Sequence, residues 1–255
     1  MSPLAMRRRG AGEPLVLLHP LALSRELWSP LAEALSDQFQ VFAFDLRGHG
    51  DSGWDGRPFT ISDLADDVAV TLDVLDLMSA NLLGLSMGGS VAVDFAGRYP
   101  ERVRSLVLAD TTAWYGEEAV EAWAERARKA VAVPRAKQVS FQVDRWFSPE
   151  FTAAHPEEVD RVVKIFLRTN SEAHAAASIA MGAMDSRPLL PVITAPTLVL
   201  AGQHDYATPP AMARVLADGI AGAELEILPG LRHMSLIEQP ALADRIRQHL
   251  NGVRR

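Results

Sequence analysis

Apolar residues along this chain fall into short, mostly unbroken runs, separated by longer stretches in which they recur every three or four positions. The runs are Leu15 to Leu18, Val41 to Phe44, Leu82 to Leu85, Leu106 to Ala109, Thr197 to Ala201 and Leu225 to Leu228. Because successive residues are apolar, rather than alternate ones, the runs predict strands covered on both faces in a mainly parallel sheet flanked by helices, an α/β fold. Each run stops at a chemically capable residue or a turn former: His19, Asp45, Ser86, Asp110, Gly202, and Pro229 with Gly230. Open parallel sheets bind ligands beyond the carboxyl ends of their strands, so a site is expected among these positions.

Between the fourth and fifth runs the pattern changes. From Thr112 to Pro191 no strand is predicted, and Ala-rich, charged segments take helical spacing over Glu117 to Val131, Arg135 to Phe147, Glu157 to Arg168 and Glu172 to Met184. Pro134, Pro149, Pro156 and Pro188 punctuate them. The expectation is a helical lid at residues 112–191 inserted over the active edge of a core built from 1–111 and 192–255. Its alternative is a set of surface helices in the same domain.

Composition narrows the chemistry. With 255 residues, 48% hydrophobic and 22% charged, the chain is long enough for one large domain with an insertion. A net charge of −7 offers no basic stripe for a phosphate backbone, so nucleic acid is not an expected partner. The absence of cysteine excludes disulfides, thiolate catalysis and thiolate-built metal sites, and no metal is expected. Arg7, Arg8 and Arg9 precede an apolar stretch, but that stretch is cut by His19 and Pro20 and lacks a small-residue cleavage site, so it reads as a strand rather than a signal peptide. No segment approaches the length of a membrane span. A soluble, cytoplasmic protein acting on a small molecule is expected.

The most informative stretch is Asn81-Leu-Leu-Gly-Leu-Ser-Met-Gly-Gly89. A strand that turns sharply into a helix strains the serine backbone and crowds its neighbours, which is why small residues flank Ser86 at Gly84 and Gly88. The turn exposes the hydroxyl and aims a helix N-terminus at it. Serine is a weak nucleophile unless a base takes its proton. Of seven histidines, His233 follows the last strand and is the expected base. His49 sits in a glycine turn, His155 and His174 in the lid, His249 in the last helix, and His204 beside the candidate acid. That acid is Asp205, on the Pro-rich loop after the fifth run, which gives the chain order Ser, Asp, His; Asp110 is its rival. The oxyanion donors are expected to be the amides of Met87 and Leu21, since Pro20 has no amide hydrogen.

With these residues in place the chain resembles the α/β-hydrolase superfamily from Leu15 onward, in strand order, elbow, lid position and triad order. It departs from the usual His-Gly oxyanion loop by having His19-Pro20. Within the superfamily it is most similar to 3-oxoadipate enol-lactone hydrolases, through Gly84-Leu-Ser-Met-Gly-Gly89, Pro100-Glu-Arg-Val103, Trp123 with Arg126, Arg145-Trp-Phe-Ser-Pro149, Met184-Asp-Ser-Arg187, Thr208-Pro-Pro210 and His233-Met-Ser235. That resemblance implies hydrolysis of a small carboxylated lactone of aromatic catabolism through an acyl-enzyme, with no cofactor. An anionic substrate in an acidic protein needs a local cation. Arg126, one helical turn from Trp123, is either that clamp or a solvated residue of the run Glu125 to Lys129, with Arg145 a weaker candidate. Trp123, Arg126 and Trp146 are the expected substrate contacts, although Trp146 and Phe147 also suit a lid core. A broader carboxylesterase or lactonase, a carbon-carbon bond hydrolase, a cofactor-free perhydrolase and a ligand-binding receptor remain open on the same residues.

Overall fold

A computed structural model describes residues 3–252; residues 1, 2 and 253–255, assigned above to the core, lie outside the described residues. Seven strands form one sheet: β1 (Met6–Arg9), β2 (Glu13–Leu18), β3 (Phe39–Phe44), β4 (Ala80–Leu85), β5 (Val103–Ala109), β6 (Thr197–Gly202) and β7 (Glu224–Leu228). Their order is β1-β3-β2-β4-β5-β6-β7, and every pairing is parallel except β1 with β3. The six apolar runs are β2 to β7. Leu15 to Leu18, Leu82 to Leu85 and Leu198 to Ala201 are buried without alternation, as strands covered on both faces require.

The antiparallel edge strand β1 has no counterpart among the predicted elements. Arg7, Arg8 and Arg9 are its exposed residues, paired with Ala43, Phe42 and Val41 respectively. Charge on an edge strand discourages pairing with other chains, and here it masked the strand in the pattern.

Helices cover the sheet: α1 (Ser29–Leu35), α2 (Ile61–Val74), α3 (Met87–Arg98), then α4 (Ala119–Ala132), α5 (Arg135–Trp146), α6 (Pro149–Ala154), α7 (Pro156–Arg168) and α8 (Ser171–Gly182), and finally α9 (Pro210–Gly219), α10 (Ser235–Glu238) and α11 (Leu242–Gly252). Local chemistry starts several of them. Thr60 and Asp63 form a reciprocal capping box on α2, and the Asn170 side chain accepts from the Glu172 and Ala173 amides at the head of α8. Ser148 caps α6, a short helix absent from the expected set.

Helices α4 to α8 all lie between β5 and β6. The neck of this excursion is closed by a bridge between Trp114 and Asp185 and by the Ser186 amide donating to the Ala113 carbonyl at 2.8 Å. Its far side reaches back to the sheet's carboxyl edge. Thr169 donates to the Ala22 carbonyl at 2.7 Å, and the Met234 amide to the Trp146 carbonyl at 2.9 Å.

Candidate active site

The sheet's order reverses around β2: the chain goes from β2 out to β3 on one side and returns to β4 on the other. Loops leaving β2 and β4 therefore part in opposite directions and leave a crevice between them, the usual ligand position in such sheets. Ser86 and the His19 to Ala22 loop flank that crevice.

Ser86 joins β4 to α3 with φ 55° and ψ −120°, left-handed backbone that costs a non-glycine residue on the order of 1–3 kcal/mol. The packing explains its glycine neighbours. A Cβ on Gly84 would collide with the Gly88 carbonyl, and one on Gly88 with the Leu18 carbonyl of β2. The elbow can therefore sit tight against the adjacent strand, with the Ser86 amide held by the Ala109 carbonyl at 3.0 Å.

Three side chains from distant segments converge. His233 Nε2 lies 2.9 Å from Ser86 Oγ, and His233 Nδ1 lies 2.8 Å from Asp205 Oδ2. All three residues are buried. Asp205 is itself held: its Oδ1 accepts from the Ala207 and Thr208 amides at 2.7 and 3.0 Å, and its Oδ2 from Thr208 Oγ1 at 2.7 Å. Burial pushes the Asp205 carboxyl up, but His233 and the Thr208 hydrogen bonds outweigh it and leave the group below its ordinary range. An ionised acid on Nδ1 keeps the imidazole's free nitrogen turned to the hydroxyl, the geometry needed to take its proton.

Asp110, the rival acid, takes a different place. Its Oδ1 accepts from the Gly202 amide at 2.8 Å and its Oδ2 from Ser235 Oγ and amide at 2.6 and 3.1 Å. It thereby ties together the loops that carry Asp205 and His233. Burial, followed by the Asp205 charge, raises this carboxyl well above its ordinary range, against the pull of those hydrogen bonds.

The loop after β2 is fixed by two buried histidines. His19 Nε2 accepts from the Leu46 amide at 2.9 Å while Nδ1 donates to the Pro20 carbonyl at 2.8 Å. His49 Nε2 accepts from the Ala22 amide at 3.3 Å, with Nδ1 on the Arg47 carbonyl at 3.0 Å. Burial lowers both, to about 4 and about 3, so both rings are neutral at neutral pH. Their grip holds Ala22 at φ 62° and leaves the Leu21 amide without an acceptor among the described residues. Met87 opens α3, where first-turn amides have no acceptor within the helix. Its side chain is buried away from the pocket.

Ser86 opens into a small pocket whose walls include Leu21, Trp123, Arg126, Trp146 and His233. Tyr115, Arg145 and Thr208 also line it. Of these, Thr208 belongs to the Thr208-Pro-Pro210 stretch already noted in the sequence, whereas nothing in the pattern singled out Tyr115. Arg126 is not a solvated surface residue. It lies over the Trp123 ring, 4.8 Å from guanidinium carbon to centroid, with its Nε shielded from solvent and unpartnered. Burial first, then the like charge of Arg145, brings it down to about 9, with Tyr115 opposing. Among the described residues no carboxylate pairs with Arg126 or Arg145, and no group of three or more His, Asp or Glu side chains could hold a metal ion.

A parallel sheet, a strained serine at the crevice and a hydrogen-bonded Ser-His-Asp chain define a class. Residues 13–240 match the family described as alpha/beta hydrolase fold, and the chain belongs to it; it is a hydrolase. Its similarity runs deeper toward particular members. It is 33% identical over 229 residues, 89% of this chain and 84% of the relative, to 3-oxoadipate enol-lactonase 2 of Acinetobacter baylyi. Among solved structures, the enol-lactonase from Burkholderia xenovorans superposes with a TM-score of 0.92 at 34% identity, covering 97% of this chain and 96% of that one. A malate-bound thermophilic esterase from Thermogutta terrifontis gives the same score and identity over 99% and 94%.

Proposed function

We propose that this protein is a serine hydrolase that opens a small carboxylated lactone or ester through an acyl-enzyme, with 3-oxoadipate enol-lactone as its substrate. The observation that carries the reading is the Ser86, His233 and Asp205 chain opening into a pocket whose cations have no acidic partner. Ser86 Oγ attacks the lactone carbonyl while His233 Nε2 takes its proton, and the oxyanion is held by the amides of Leu21 and Met87. The ring carbon-oxygen bond then breaks, and the enol oxygen leaves with the proton from His233. An enol leaves more readily than an alkoxide. Water, deprotonated by His233, attacks the acyl carbonyl and restores Ser86, releasing the dicarboxylate.

Trp123, Arg126 and Trp146 form the substrate wall in this reading, Arg126 receiving the carboxylate arm. Residues 112–191 act as the lid over a core of 1–111 and 192–255. Its place would be the cytoplasm, in aromatic catabolism. The malate in a relative 34% identical favours a second, broader reading, a carboxylesterase for acyl groups that carry an acid. Following the enol-lactone by loss of its ultraviolet absorbance, beside neutral butenolides and a chromogenic acetate ester, separates these. A strong preference for the carboxylated lactone supports the first reading and comparable rates on carboxylated esters the second. Tight binding without turnover of any of them would overturn both.

A further inference from the structure

Three backbone amides around His233 are each held by a different partner. The Arg232 amide donates to Glu238 Oε1 at 2.8 Å, the Met234 amide to the Trp146 carbonyl at 2.9 Å, and the Ser235 amide to Asp110 Oδ2 at 3.1 Å. Glu238 ends α10, the single turn that follows His233, so its first oxygen closes that turn on itself. Its second oxygen reaches another segment. Glu238 Oε2 accepts from the Ser148 amide at 2.9 Å and from Ser148 Oγ, which in turn accepts from the Phe151 amide at 3.2 Å as the cap of α6.

Ser148 stands two residues after Trp146, and Trp146 lines the pocket with His233. One carboxylate therefore bridges the turn that carries His233 and the junction of α5 with α6, inside the excursion between β5 and β6. A second tie runs nearby: Asp144 accepts from the Tyr206 hydroxyl at 2.8 Å and from Arg232 Nη1 at 2.9 Å. The Asp144 side chain is 67% exposed, and exposed pairs contribute little. Ser148 is buried and Glu238 half-buried, and three donors on one charged acceptor make the stronger brace.

We propose that Glu238 is a positioning residue, which fixes the alignment of His233 toward Ser86 by anchoring its turn to Ser148. This rests on the serine-hydrolase reading above and extends it, because the excursion then contributes to the chemical step and not to recognition alone. Glu238 and Ser148 are matched to each other before substrate arrives, so their loss is felt in kcat. A reacting group displaced by on the order of 1 Å can lose about 100-fold in rate.

Glu238→Gln tests this without a change of shape. Glutamine has one acceptor oxygen and one NH2, so either orientation sets a donor against the Arg232 or the Ser148 amide. Turnover of p-nitrophenyl butyrate, per active site titrated with a fluorophosphonate, is expected to fall about tenfold with KM unchanged. A glutamate that merely braced the fold would lower the number of active sites and leave the turnover of each as it was. Ser148→Ala removes one donor of the three and is expected to lose less, Ser148→Thr to recover that loss, and the double variant Ser148→Ala with Glu238→Gln to be no slower than Glu238→Gln alone. In protein labelled with ¹⁵N-histidine, the His233 Nδ1–H resonance is expected to move in Glu238→Gln. Wild-type turnover per site in folded Glu238→Gln, an unmoved resonance, or a Ser148→Ala loss that adds in full to that of Glu238→Gln overturns the proposal. Should Glu238→Gln fail to fold, equal turnover in Ser148→Ala and Ser148→Thr overturns it. The two readings fail separately: hydrolysis that survives Ser86→Ala removes the serine mechanism, whereas any of these outcomes with Ser86→Ala inactive removes the role of Glu238 alone.

Discussion

The floor and the roof of the pocket are built on opposite principles. Around Ser86 the polar side chains are already matched to one another: serine to His233, His233 to Asp205, Asp205 to Thr208, and the supporting Asp110, His19 and His49 to backbone. In the helices inserted between β5 and β6, Arg126, Arg135 and His174 carry buried donors with no acceptor among the described residues, and Gln142 a buried oxygen with no donor. The difference teaches where substrate is needed. Bond-making groups gain from being oriented beforehand, since reorganisation during reaction would raise the barrier. In the proposed reading, Arg126 on the pocket wall is completed only by the substrate's carboxylate.

That contrast predicts different kinetic signatures for the two halves. The largest effect is expected at Ser86→Ala, which should lower kcat on every ester by on the order of 10⁶-fold, as loss of a triad nucleophile does. More than a few per cent of residual activity would break the assignment of chemistry to the floor. Next comes Asp205→Asn, with a fall in kcat of about 10⁴-fold because the imidazole loses its orienting acid. If Asp110→Asn proves the more damaging, the rival carboxyl is the true partner of His233.

A change in the roof should appear in KM instead. Arg126→Ala is expected to lower the preference for carboxylated over neutral esters by roughly 100-fold, the scale of a charge-assisted hydrogen bond lost in a shielded site. Equal effects on both ester types would end the distinction between the halves.

The smallest effect concerns the floor's rigidity. His19 and His49 have folded values of about 4 and about 3, against 6.5 for the free side chain. Below pH 6.5 the unfolded chain binds protons that the folded chain does not, so this stability is intact above 6.5 and drains as pH falls toward 4. Denaturant titrations at pH 7 and pH 5 should differ by roughly 2 kcal/mol for each histidine, and His49→Asn should narrow the gap. A gap unaltered by His49→Asn would show that the loop at Leu21 and Ala22 does not depend on that neutral ring.

Legibility in the sequence followed burial. Strands β2 to β6 were readable because two-sided burial leaves little room for polar residues, the less buried β7 from its Leu225, Ile227 and Leu228, and Ser86 because its turn demands Gly84 and Gly88. Strand β1 was not, since an edge tolerates Arg7 to Arg9 and hides its period. The four longer helices between β5 and β6 were visible, while α6 is too short to show a period. Arg126 stood between clamp and surface charge, because helical spacing places it one turn from Trp123 without saying which face meets the pocket. Tyr115 gave no local signal at all.

By itself the sequence determined the parallel α/β plan, the strained serine turn and the absence of thiol chemistry, all properties set by residue type and near neighbours. Only the tertiary structure decided that Asp205 rather than Asp110 meets His233, that the Leu21 amide is left open, and that Arg126 turns toward the pocket above Ser86. Those are distances between segments up to 147 residues apart. Side-chain spacing along a chain carries no information about them until the sheet order brings the loops together.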